Sequence, residues 1–186
     1  MSLPPPITLP LLDLPASPQV VVSRSVATDP QLPLTARAVD RFWAQVIRGE
    51  ADRCWIWCGA ISYPDGYGRF TWQTNGKRRT VSAHRVALMI HQGGELGDGV
   101  IGEHGCCEPL CVRVDQAHLW PATQAENIAH AVDLGRHRGN IPVTGSHHRW
   151  ERSRLVRDAV RGGWDKPAYQ LARQMLTVDE AQLALW

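Results

Sequence analysis

A chain of 186 residues buries one sizeable core with appendages, which bounds it to one or two small domains. A hydrophobic share of 44% beside 20% charged residues is that of an ordinary globular protein, and no apolar run has the length a membrane helix needs. The net charge of +2 is too small to name a nucleic-acid partner, so the placement of the cations matters more than their sum.

Pro4, Pro5, Pro6, Pro10, Pro15, Pro18, Pro30 and Pro33 fall within residues 1 to 35. Proline supplies no amide donor and breaks ladders, so this stretch is expected to be an extended tail. The N-terminus lacks the basic stretch of a secretory leader, which points to the cytoplasm, where grouped cysteines bind metal more often than they pair. Thr35 is placed to cap a helix running through Ile47, with Ala38, Phe42 and Val46 on one face.

Cys54-Trp55-Ile56-Trp57 reads as a short strand, and Tyr63-Pro64-Asp65-Gly66 as a turn. Gly68 to Trp72 and Arg79 to Ser82 then form the two arms of a hairpin around Asn75-Gly76. Ala83 to Gln92 has helical spacing, with Val86, Met89 and Ile90 on its apolar face. A glycine-rich loop leads to Val100-Ile101 and on to Glu103-His104. After a cysteine-rich loop, Leu119-Trp120-Pro121 is a short strand, and Thr123-Gln124-Ala125-Glu126 is a capping box that opens a helix. The chain is basic and loop-like from Gly135 to about Ser146. Three helical patterns follow, over 152–161, 166–175 and 178–185.

His104, Cys106, Cys107, Cys111 and His118 crowd one short stretch, with Cys54 and Cys58 upstream. A structural zinc takes four thiolate or imidazole ligands in a tetrahedron. The expected set is Cys54, Cys106, Cys111 and His118, with Cys58 and Cys107 as alternates. The competing reading is that these cysteines are small buried hydrophobes.

The order and spacing of Arg41-Phe42-Trp43, Cys54 to Gly59, Gly66 to Phe70, Ala83-His84-Arg85, Glu103 to Cys106, Cys111-Val112, His118-Leu119 and Thr123 to Asn127 resemble the HNH endonucleases. The likeness is to phage-type members and the related His-Cys box homing endonucleases. It implies an α+β fold, a zinc-braced ββα-metal (His-Me finger) core with a preceding hairpin, and DNA phosphodiester hydrolysis. It assigns His104 as general base, with Glu103 and Asn127 as ligands of a catalytic Mg²⁺, Mn²⁺ being an alternative. The stretch from Cys111 to Leu119 is two residues longer than the family's Cys-Val-Asn-Pro-x-His-Leu, and Arg113 replaces its Asn.

Arg69, Lys77, Arg78 and Arg79 on the hairpin are expected to meet DNA phosphates, since a two-stranded ribbon fits the major groove. The three C-terminal helices suggest a helix-turn-helix. The final Gln182-Leu183-Ala184-Leu185-Trp186 resembles the pentapeptide that binds the bacterial sliding clamp, with Gln182, Leu183, Leu185 and Trp186 as contacts. The expected organisation is a tail over 1–35, a nuclease domain over 36–138, and a linker with helices over 139–186. Two other readings stand beside the nuclease: a non-catalytic, zinc-stabilised DNA-binding module, and an adaptor recruited to the clamp.

Overall fold

The computed structural model describes residues 27–133 and 144–174. In chain order the elements are β1 Ala27–Thr28, α1 Ala36–Trp43, β2 Val46–Arg48, β3 Trp55–Trp57, β4 Ala60–Ile61, β5 Gly68–Thr74 and β6 Lys77–Ser82. They continue with α2 Ala83–Gln92, β7 Val100–His104, β8 Leu119–Thr123, α3 Gln124–Asp133, α4 Thr144–Val160 and α5 Lys166–Gln174. The fold is α+β.

One sheet has the order β1-β6-β5-β4, while β2-β3 and β7-β8 form separate two-stranded ribbons. The β5–β6 hairpin closes on Asn75 and Gly76, with φ of 52° and 72°. Both are left-handed, as the tightest hairpin turn requires, and Asn-Gly is the pair that adopts them at least cost. Thr35 does cap α1, its hydroxyl accepting from the Ala38 amide at 3.2 Å. The helix stops at Trp43, however, short of Ile47. Val46, Ile47 and Arg48 instead pair with Trp57, Ile56 and Trp55. Two β-branched residues facing a ready strand partner gain more from a ladder than from another helical turn.

Order also begins upstream of Thr35. β1 runs parallel to β6, Leu32 is buried, and the Pro33 carbonyl accepts from the Trp72 indole at 3.0 Å. The tryptophan-rich composition has a packing role. Phe42 stacks on Trp57 at 5.1 Å between ring centroids, and Phe70 meets both rings edge-on. Val156 and Val160 of α4, with Tyr169 and Ala172 of α5, belong to the same buried cluster as these aromatics. Among the described residues no helix is long and apolar enough to cross a membrane.

Candidate metal centre

Three backbone devices bring Cys54, Cys106 and Cys111 together. Cys54 immediately precedes β3, and its carbonyl accepts from the Gly49 amide at 3.0 Å, closing the β2–β3 ribbon. Cys111 reaches the same place from the loop between β7 and β8. The Trp57 amide donates to Leu110 at 2.9 Å and the Val112 amide to Trp55 at 2.8 Å, so residues 110–112 lie along β3 as an added strand. Cys106 sits in the turn after β7, where the Gly105 amide bonds the His118 carbonyl at 3.0 Å. A Cβ at Gly105 would lie 2.6 Å from the Trp120 ring, so only glycine lets the turn close over it.

The three sulfurs lie within 4.8 Å of one another. A zinc tetrahedron with Zn–S bonds of about 2.3 Å has edges of about 3.8 Å, so small side-chain adjustments suffice. Cys54 and Cys111 are buried and Cys106 half-buried. Hydrogen bonds from Cys106 and Cys111 hold the Cys54 thiol far below its ordinary range. Burial and the neighbouring sulfurs push Cys111 up. Three thiols facing one another need a cation to become thiolates together, because a divalent ion favours the charged form of each. The donor set fits a soft, tetrahedral metal, and zinc above all. Cys58 and Cys107 stay outside: Cys58 donates weakly to Ile56 O at 3.6 Å, and Cys107 is exposed.

His118 is buried beside this loop, and Asp115 Oδ1 lies 2.8 Å from its Nδ1. Asp115 is itself fixed by the Arg113 guanidinium, which also donates to the carbonyls of Ala51 and Arg53 at 2.6 and 2.9 Å. Arg113, the residue that replaces the resemblance's Asn, therefore ties the metal loop to the turn before Cys54. The sequence reading missed the contribution of the C-terminal helices. Glu108 is fully buried, and its carboxylate meets Arg152 of α4 at 3.1 Å and Arg173 of α5 at 3.6 Å. Burial pushes Glu108 up while the two guanidiniums pull it down. A glutamate among metal-loop cysteines was a visible signal for such a clamp, but nothing local marks its distant partners.

The nuclease expectation is corrected here. The donor cluster that the fold assembles is made of three thiols and does not include His104. His104 Nε2 is held 2.9 Å from the Cys111 carbonyl oxygen, and burial lowers the basicity of its ring. The ring packs at 5.1 Å from His84, so the histidine serves to join β7 to the cysteine loop. Glu103 faces away from it, buried and paired with His130 of α3. Asn127 and His104 do line one cavity of about 240 Å³, together with Tyr67, Cys107, Arg149 and Arg152, but Glu103 is not part of it. The expected Mg²⁺ pair of Asn127 and Glu103 is thus split between two environments. With it go the HNH assignment, the hydrolase activity and the ββα-metal description of β7, β8 and α3. What stands is an α+β fold around a cluster of three cysteines.

Of the hairpin cations, Arg69 is bound by Asp65 at 3.1 Å and Ser82 at 2.9 Å, Lys77 by Asp29 at 3.0 Å, and Arg79 by Glu95. Arg78 is exposed on the same arm. Gln182, Leu183, Leu185 and Trp186 lie outside the described residues, as does the third C-terminal helix expected from the sequence. No family model, no curated protein and no solved structure matches the chain.

Proposed function

We propose that this chain is a non-catalytic, zinc-stabilised module that binds DNA in the cytoplasm. The buried Cys54–Cys106–Cys111 cluster carries the reading, since three converging thiols are a metal-binding arrangement with no comparable role in plain packing. The three thiols converge without His118; with Asp115 holding its Nδ1, the ring would have to bring Nε2 toward the sulfurs to supply a fourth ligand. The metal's contribution is to cross-link the β2–β3 ribbon to the loop between β7 and β8. A reducing compartment keeps the thiols available for it.

DNA is the partner that the cations favour. Lys77 and Arg78 are exposed at the hairpin end, and Arg149, Arg154 and Arg161 are exposed on or next to α4. Such groups bind phosphates through counterion release, which needs no base-specific contact. The test is fluorescence anisotropy of a labelled duplex titrated with zinc-loaded protein over a salt series. Affinity is expected to fall steeply with salt, and Arg78→Ala to reduce the slope by about one ion. Absence of binding at low salt overturns the DNA reading. Nicking or linearisation of supercoiled plasmid overturns the non-catalytic one.

A further inference from the structure

The zinc cluster has an unexplained neighbour on the C-terminal side. Tyr169 of α5 is only 3% exposed, and its hydroxyl is buried without a hydrogen-bond partner. A buried hydroxyl normally finds an acceptor, so an orphan calls for a group that is absent or in another chemical state. The sulfur of Cys54 lies within its reach. A thiol sulfur is a poor acceptor, whereas a metal-bound thiolate is a good one.

We propose that the Tyr169 hydroxyl closes the metal centre by donating to the Cys54 thiolate, so that metal retention and docking of α5 on the cysteine loop are one equilibrium. This rests on the zinc reading above. Tyr169 is a positioning residue, not a ligand, and it does not act alone. Arg173, one turn further along α5, lies over the Tyr169 ring at 5.6 Å and donates to the Cys106 carbonyl at 3.3 Å. Its Nε is 3.6 Å from Glu108. Trp164 also packs against Tyr169, with ring centroids 4.9 Å apart. The hydroxyl and the guanidinium of one helix thus engage two different ligand-bearing residues, Cys54 and Cys106. Loss of the metal frees the Cys54 sulfur from its fixed position under the hydroxyl and releases the loop that Arg173 grips. The helix then loses both polar anchors together, and metal affinity falls in return when those anchors are removed.

Three measurements on the full chain test this. Zinc affinity is read by competition with a chromophoric chelator. The cobalt-substituted protein reports the thiolates through its sulfur-to-metal charge-transfer absorption. Amide exchange compares α5 with α2 before and after metal removal. Tyr169→Phe keeps the ring and deletes the hydroxyl; it is expected to weaken zinc about tenfold, as loss of an outer-shell partner does. It is also expected to move the cobalt charge-transfer band to lower energy, a change that loss of packing alone would not produce. In the native chain, metal removal is expected to speed exchange in Lys166–Gln174 while Ala83–Gln92 stays protected. Unchanged affinity and spectrum in Tyr169→Phe overturn the proposal, and so does equal loss of protection in α2 and α5. If Tyr169→Phe fails to fold, the exchange comparison decides. A native chain that binds neither zinc nor cobalt overturns the zinc reading and this proposal with it, whereas tight zinc binding insensitive to Tyr169→Phe overturns this proposal alone.

Discussion

The aromatic half of the molecule and the cysteine half solve the same problem by different means. Around α1, β3 and β5, Phe42, Trp57, Phe70 and Trp72 are almost wholly buried against one another, and the buried indoles are satisfied by the carbonyls of Ala60 and Pro33. That half holds itself by apolar area and needs no further ingredient. The stretch from Gly105 to His118 sends only Leu110, Cys111 and Val112 into that buried cluster. The rest of its order comes from Arg113 clasping two carbonyls, from Glu108 paired with Arg152 and Arg173, and from three thiols that converge without a covalent link. A loop built on charges and thiols is conditional on what neutralises them. The two halves should therefore fail differently, and that difference can be broken experimentally.

The largest effect is expected at the thiols. Cys111→Ser removes a ligand from the most buried corner of the cluster and leaves a poor donor in its place. Structural zinc in finger peptides contributes roughly 10–16 kcal/mol of binding free energy, so losing it unravels whatever depends on it. The variant should purify without zinc, lose exchange protection in 105–118 and retain it in β5 and β6. A variant that keeps a full equivalent of zinc by metal analysis would place the cluster's role elsewhere.

Phe42→Ala inverts that experiment. The ring is fully buried and touches Trp43, Trp57 and Phe70, so its removal should cost about 3–5 kcal/mol in chemical denaturation. Zinc content should stay at one equivalent while the protein remains folded. If zinc is lost with the ring, the two halves are a single cooperative unit and the contrast between them disappears.

Local signals in the sequence anticipate the aromatic half well. Thr35 as a cap, Asn75-Gly76 as a turn, Ala83 to Gln92 as a helix and the Thr123–Glu126 capping box are decided by residues within a few positions of each other. In the box, Thr123 N donates to Glu126 at 2.7 Å, and the Glu126 amide donates back to the threonine hydroxyl at 3.2 Å. Where a strand had to be chosen because of a remote partner, as at Val46–Arg48, helical periodicity misleads. The cysteine half was legible in its ligands but not in its supports, because Glu108 meets Arg173, and Cys54 meets Tyr169, across long stretches of chain. The nuclease expectation rested on short motifs around His104 and Asn127. Spacing along the chain carries no information about where the Glu103 carboxylate points, and the structure pairs it with His130.

The smallest predicted effect lies at the seam between the halves, where His84, in the first turn of α2, packs on Tyr67 of the hairpin side and His104 of the loop side. Its Nδ1 is buried without a partner, and burial, reinforced by the charges of His104, Arg85 and Arg69, lowers its pKa from 6.5 to about 3. The folded state therefore holds a neutral imidazole over a range in which the unfolded chain takes up a proton. Above pH 6.5 both states are neutral and the group has no effect on stability. Between 6.5 and about 3 only the unfolded state is protonated, so stability falls as the pH is lowered, and the loss is complete once the folded pKa is passed. At a pH of about 5.5 the loss from this one residue is about 1.4 kcal/mol relative to a pH of about 7.5. Denaturation of the zinc-loaded protein at the two pH values should show it, and His84→Gln, which cannot titrate, should remove about that much of the difference. The slope left in His84→Gln includes the contribution of His104, whose pKa burial also lowers, and proton competition for the thiolates. An unaltered pH dependence in His84→Gln would mean that the seam is open to water, and that the two halves are less closely joined than the ring contacts at His84 imply.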